Sequence, residues 1–267
     1  MFKRIFSKQN RALLSELVRT DFKLRYQGSM LGYLWSLLRP LLLFLILYVV
    51  FVKFLKVGNG IPHYPVYLLL GMIMWNFFVE MTLQSLSSIV GRGDLIRKIK
   101  IPRWIIVISS SISAVINLLL NLVVLSFFII FNHVHLTILV AILPLIFLEM
   151  YLFSLGVSFF LATTFVKFRD INYIWEILLQ AGFYLTPILY PLSRINNVLF
   201  QKLIILNPMA QIIQDARYVT VSKDTMTNYA LFNGKIYFFI PFVLVISILV
   251  FSTNYFRKKS KYFAEEI

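Results

Sequence analysis

Six long apolar segments, separated by short basic or polar stretches, set the pattern of this chain of 267 residues. The first covers about 33–54. Between Leu41 and Val52 its only polar group is the Tyr48 hydroxyl, and as a helix it measures about 30 Å, the thickness of a bilayer's hydrocarbon. Others fall at about 64–90, 104–131, 137–166, 173–190 and 237–255. Only Asn132 to Leu136 separate the third from the fourth, which predicts an antiparallel hairpin. Ahead of the first span, Leu14, Val18, Phe22 and Tyr26 recur every four residues while Arg11, Arg19, Lys23 and Arg25 carry charge. Residues 1–32 therefore read as an amphipathic helix at the cytoplasmic membrane interface, and Gly28 and Gly32 turn the chain into the bilayer. Between the fifth and sixth spans, Val198 to Leu206 is apolar but too short to cross, and Asn207 with Pro208 reads as a cap followed by the first residue of a second short helix ending near Val219. These external half-helices either re-enter the membrane as a pair or lie flat on it. The predicted fold is all-α and integral to the membrane: six transmembrane helices, an amino-terminal interface helix, external half-helices, and one domain over 33–267 with no repeat.

Composition agrees. At 60% hydrophobic and 14% charged residues, with a mean hydropathy of +0.82, the chain has too little polar surface to cover a soluble globule. A formal net charge of +15 suggests nucleic acid only in a soluble protein; here it becomes a question of which loops hold the cations. Six passages place 19 lysines and arginines on the side of the termini and 7 on the other, so both termini are expected in the cytoplasm and membrane lipids replace nucleic acid as the partner. Cysteine is absent, which excludes disulfides, thiol catalysis and cysteine-bound metals. The first thirty residues lack the short apolar core of a cleavable signal, and none is expected.

No catalytic constellation emerges, and no GxxxxGK[ST] sequence is present, so this chain does not bind ATP in that manner by itself. His63, His133 and His135 fall at external turns and make no metal site. Glu80 and Glu149 lie inside spans, where an acid is a functional hypothesis by default. Gln84, Asn117 and Asn121 on neighbouring spans offer the competing, structural explanation for both, and Ser109, Ser110, Ser111, Ser113 and Ala114 read as a close-packing surface. In the fifth span Glu176, Gln180 and Tyr184 follow at intervals of four, with Phe183 beside them and Pro187 above; in the first, Phe44, Tyr48 and Phe51 share a face. Such stripes either face lipid or offer hydroxyl-rich cargo hydrogen bonds and flat apolar surfaces. In the loop GRGDLIRKIKIPRW, Asp94 caps a short helix with Leu95, Ile96, Ile99 and Ile101 among Arg97, Lys98 and Lys100, stopped by Pro102. Its aliphatic side suits a cleft on another protein or the membrane surface.

The stretch LVRTDFKLRYQGSMLGYLWSLLRP, with Gly32, Trp35 and Pro40, resembles the opening of the ABC-2 type polysaccharide and polyol-phosphate export permeases. The loop before IPRW and the later NPMAQIIQDAR are similar to that family too. The resemblance implies a homodimeric permease, not an enzyme, in the cytoplasmic membrane of a bacterium, paired with two copies of a separate ATPase that binds ATP and magnesium, with no cofactor on this chain. It implies that Asp94, Leu95, Ile96, Arg97 and Ile99 form the coupling helix that docks into the ATPase. It further implies that the first and fifth spans line the passage, placing Phe44, Tyr48, Phe51, Glu176, Gln180, Phe183 and Tyr184 near a lipid-linked glycan such as an O-antigen, capsule or teichoic acid precursor. The external half-helices, with Asn207, Pro208 and Arg217, would form a gate. An exporter of drugs or small lipids shares this architecture. An ion-coupled secondary transporter would show inverted repeats and paired intramembrane charges, and a membrane transferase clustered histidines or carboxylates at one interface.

Overall fold

The computed structural model describes residues 8–26, 29, 31–58, 60–98, 101–234 and 236–266, and these are helical, with no strand among them. The α-helices are α1 (Lys8–Tyr26), α2 (Trp35–Tyr48), α3 (Tyr64–Ser88), α4 (Gly93–Lys98), α5 (Trp104–Phe131), α6 (Leu143–Lys167), α7 (Ile171–Leu185), α8 (Val198–Ile205), α9 (Pro208–Thr220), α10 (Asn228–Leu231), α11 (Ile240–Lys259) and α12 (Phe263–Glu266). Five helical stretches are long and apolar enough to cross a membrane: Trp35–Phe54, where α2 continues as a π-helical turn, then α3, α5, Ile138–Lys167 and Ile236–Lys259. Five expected spans thus appear close to their expected bounds. The one expected at 173–190 differs, because its helix, α7, has 15 residues and reaches only about 22 Å. Pro187 is the reason: its ring disfavours helical backbone at the residue before it, and Thr186 is extended at φ −81°, ψ 136°.

α3 is the hub, with α5 and α6 packed along it and α2, α7 and α9 touching it. It is apolar around its whole circumference, from Val66 through Met74, and a helix without a polar face has no reason to stay at an edge. The small surface of α5 is buried at Ser109, Ser110, Ser111, Ser113 and Ala114. Its hydroxyls are satisfied within the helix, Ser109 Oγ donating to Ile106 O at 2.8 Å and Ser113 Oγ to Ser109 O at 3.1 Å, so backbones approach without stranded polar groups. Glu80 accepts from Gln84 Nε2 at 2.7 Å and from Asn117 Nδ2 across the α3–α5 contact, two of the partners expected from sequence. Asn121 turns instead to its own helix, donating to Asn117 O at 2.8 Å. Glu149 does not join this group; it faces α9.

α1 lies against α5 with Leu17 buried and Arg11, Arg19 and Lys23 exposed; the side chains of Phe22, Arg25 and Tyr26 lie outside those described. Asp21 of α1 pairs with Arg92, which also donates to Ser109 Oγ at 2.9 Å, so one guanidinium joins the amino-terminal helix, the approach to α4 and α5. The most extensive helix pair is α6 with α11. It is closest at Gly156, where a Cβ would stand 3.0 Å from the backbone N and Cα of Leu249, and is fixed lower down by the Phe159 and Phe256 rings at 4.9 Å. Gly156→Leu therefore forces the two helices apart and is expected to cost about 1–3 kcal/mol, read as a lowered melting temperature of the detergent-purified protein; Leu148→Ala, at an exposed position on the same helix, should leave it nearly unchanged.

Candidate functional site

The rotation of α7 is fixed by aromatic packing on α3. Gly182 sits so close to Trp75 that a Cβ would meet its ring at 2.8 Å, Phe183 packs on Trp75 at 6.3 Å, and Trp175 packs on Phe78 while its Nε1 donates to Thr82 Oγ1 at 3.1 Å. With that edge and Leu179 turned inward, Tyr173, Glu176, Gln180 and Tyr184 stand exposed along one flank, beside the exposed apolar Ile174, Ile177, Leu178 and Leu185. Asn172 Nδ2 donates to Glu176 Oε1 at 2.8 Å, holding the carboxyl at the start of the stripe. The three residues spaced by four thus share one outward face, whereas Phe183 is half-buried between α3 and Tyr184. A polar row at the level of the spanning helices is poorly matched to acyl chains and calls for water, cargo or another protein surface.

The aromatics of α2 are differently placed. Phe44 is 2% exposed, its ring edge-on to Phe128 of α5 at 5.2 Å, and Tyr48 and Phe51 are half-buried against the core. Phe44 therefore anchors α2 to α5.

Beyond Leu185 the chain runs non-helically at 186–190, buried from Thr186 to Leu189, and its carbonyls must find donors elsewhere. Tyr190 Oη donates to Tyr184 O at 3.1 Å and Leu185 O at 3.3 Å, and Ile188 N to Thr186 O at 2.7 Å. Tyr64 Oη donates to Leu189 O at 2.7 Å and Tyr67 Oη to Tyr190 O at 3.5 Å, both from the first turn of α3. The remaining two, Pro187 O and Ile188 O, are served by Arg217 of α9, whose Nη2 reaches Ile188 O at 2.7 Å. Arg217 is fully buried, donates also from Nε to Tyr67 O at 3.1 Å and from Nη1 to Gln214 Oε1 at 3.2 Å, and lies over the Tyr67 ring with Cζ 3.5 Å from its centroid. Burial pulls its pKa below the ordinary guanidinium value, while the carbonyls and ring face supply the negative potential that a carboxylate would. Gly71 makes the room: any Cβ there would strike Nη2.

α9 itself is buried among α3, α6 and α11, its first turn capped by Asn207, whose side chain accepts from Met209 N at 3.1 Å ahead of Pro208. α8 differs, exposing Val198, Leu199, Phe200 and Leu203. At the other end of the molecule α4 exposes Asp94, Arg97 and Lys98, leaves Leu95 half-buried and turns Ile96 inward; Ile99 lies outside the described residues. The aliphatic side is thus partly consumed within the chain, and the outer face is charged. Carboxy-terminal α12 touches both α4 and α6, its Phe263 fully buried against Phe256. Sequence reading placed Arg217 at the external gate with Asn207 and Pro208 and missed Tyr64, Tyr67 and Gly71; Arg217 shares its helix with Gln211, Gln214 and Asp215, so no local pattern set it apart.

Arg217→Lys keeps a charge but loses the planar fork and the ring contact. It is expected to leave at least one buried carbonyl unserved and cost about 1–3 kcal/mol. Gly71→Ala should be similarly destabilising by displacing the guanidinium, and because both act on one contact the double variant should lose less than the sum, as read from detergent melting curves.

Residues 12–221 match the family described as ABC-2 type transporter. Relatives include an O-antigen export system permease protein RfbA of Myxococcus xanthus, 32% identical over 206 residues that cover 77% of this chain and 78% of the relative. Another, of the same name from Klebsiella pneumoniae, is 30% identical over 246 residues, 92% of this chain and 93% of the relative. The chain is a multi-pass membrane permease, not an enzyme, and it belongs to the ABC-2 type transporter family.

Proposed function

We propose that this protein is the membrane subunit of an ATP-driven exporter that carries a lipid-linked polysaccharide, of the O-antigen type named for its relatives, across the cytoplasmic membrane. The observation that carries this reading is the outward stripe of Tyr173, Glu176, Gln180 and Tyr184 on α7. A sugar chain loses about 4–8 kcal/mol per hydroxyl on entering pure hydrocarbon. A carboxyl and an amide flanked by two phenol rings replace water's hydrogen bonds and stack on sugar faces, while the lipid anchor stays among acyl chains. One protomer offers the stripe on an open face, so a second copy is needed to enclose a passage, and the reading is of a homodimer with α7 of each copy toward the other. In it, residues 171–190 complete a sixth crossing: they begin beside the end of α6 and finish at the first turn of α3, tied there by Tyr64, Tyr67 and Arg217. Both termini then lie in the cytoplasm, as does α4.

Force enters through α4. A separate ATPase, two copies per dimer, binds ATP and magnesium and receives Asp94, Leu95, Arg97 and Lys98 in a cleft; Ile96, braced inside the chain by its burial, passes the displacement to the bundle. The external gate is read at α8 and α9, with Asn207 and Pro208 setting the start of α9 and Arg217 fixing it to the end of α7.

Two measurements test this. Deleting the gene should abolish surface glycan, and the wild-type copy should restore it, whereas Glu176→Leu with Gln180→Leu should restore less than a tenth while the protein still reaches the membrane. Unimpaired export by that variant would remove the stripe from the passage. Arg97→Glu should leave the dimer intact yet weaken co-purification of the ATPase and substrate-stimulated ATP hydrolysis; full stimulation would place the coupling elsewhere.

A further inference from the structure

A hollow of about 640 Å³ between α6, α9 and α11 has no part in the passage described above. Its walls are apolar, with Leu145 and Leu148 from α6 and Phe242 and Ile246 from α11. Leu145, Leu148 and Ile246 are exposed, so the hollow opens sideways on the outside of the protomer, toward whatever surrounds the bundle at that level. Two acids face it, Glu149 of α6 and Asp215 of α9. Gln211, 1% exposed, lies behind them: its Nε2 donates to Asp215 Oδ2 at 2.6 Å, and its side chain also hydrogen-bonds Glu149. Gln211 Oε1 and Glu149 Oε1 are both buried without a hydrogen-bond partner. Burial raises the Asp215 carboxyl to about 6, the expected response of an acid shut away from water. Arg217, two residues beyond Asp215 on α9, commits its donors to carbonyls on the other side of the helix. The hollow therefore carries two carboxyl groups in an otherwise apolar shell, with Gln211 as hydrogen-bond partner of both and no cation among the described residues paired with either.

We propose that this hollow is a lateral site for an aminolipid, its primary ammonium held by Glu149 and Asp215 and its acyl chains lying against Leu145, Leu148, Phe242 and Ile246. An ammonium has three donors and no acceptor, which matches this set, and its charge offsets that of the acids. A choline headgroup brings no N–H to the acids, and a glycerol lipid, whose hydroxyls could bond them, brings a net negative charge that meets like charge. Thr227 and Tyr229, which also line the hollow, supply hydroxyls for the adjoining phosphodiester. Because α9 carries both Asp215 and Arg217, an occupant here bears on the same half-helix that secures the end of α7.

The full-length protein in micelles containing equal phosphatidylethanolamine and phosphatidylglycerol of the same acyl chains, examined by native mass spectrometry, should retain the ethanolamine lipid over the glycerol lipid by about tenfold, a difference of about 1.4 kcal/mol. Glu149→Gln with Asp215→Asn should remove the preference. Leu148→Trp, which fills the hollow from an exposed position 51% open, should remove the bound lipid without lowering the melting temperature, and it stands as the test should the double variant not fold. Equal retention of the two lipids, a preference that survives Leu148→Trp, or disulfide formation between copies through Leu145→Cys and Ile246→Cys, which would put a second chain in the hollow, each overturns the proposal.

Discussion

The structure depends on one requirement, that backbone carbonyls released from a helix inside an apolar bundle still receive donors. α7 stops at Leu185 because Pro187 forbids its continuation, yet the chain stays buried through Leu189. A tyrosine of its own segment, two tyrosines at the start of α3 and one guanidinium from α9 then satisfy it. Arg217 holds this arrangement together, bonded at once to α3 through Tyr67 O and to the 186–190 segment through Pro187 O and Ile188 O. It needs no counter-ion, since several carbonyl dipoles and a ring face share a delocalised charge that is weakly hydrated to begin with. Gly71 is the sequence's concession to it.

From that junction the rest is positioned. α3 fixes one edge of α7 through Trp75 and Phe78, and by doing so decides which side of α7 is left open. The polar stripe is thus a consequence of aromatic packing behind it. At the end of the bundle where α4 lies the logic is similar but ionic: Asp21, Arg92 and Ser109 join α1 to α5 just before α4, and α12 touches α4 from the other side, so the short helix has two anchors and one charged outer face. In the coupling role proposed for α4, buried Ile96 is its braced inner side.

The acids inside the spans show how far residue type alone reaches. Glu80 and Glu149 look alike in the sequence, and the same amides were available to both. Glu80 found Gln84 and Asn117 because all three lie where α3 meets α5. Glu149 points the other way, toward Asp215 and Gln211 of α9, a segment more than sixty residues further on whose docking no local pattern announces.

Apolar length and basic loops determined by themselves that this is an all-helical membrane protein, where its five long apolar helices begin and end, and where Asn207 and Pro208 start a helix, because those features are written in consecutive residues. They also put Glu176, Gln180 and Tyr184 on one face, a matter of helical period. Tertiary structure alone decided that this face is the open one, that Phe44 and Ile96 turn inward, and that Arg217 is a buried tie. In a chain apolar on nearly every side, hydrophobicity cannot choose a helix's rotation; only the fit of side chains from distant segments, ring on ring and donor on carbonyl, can do so.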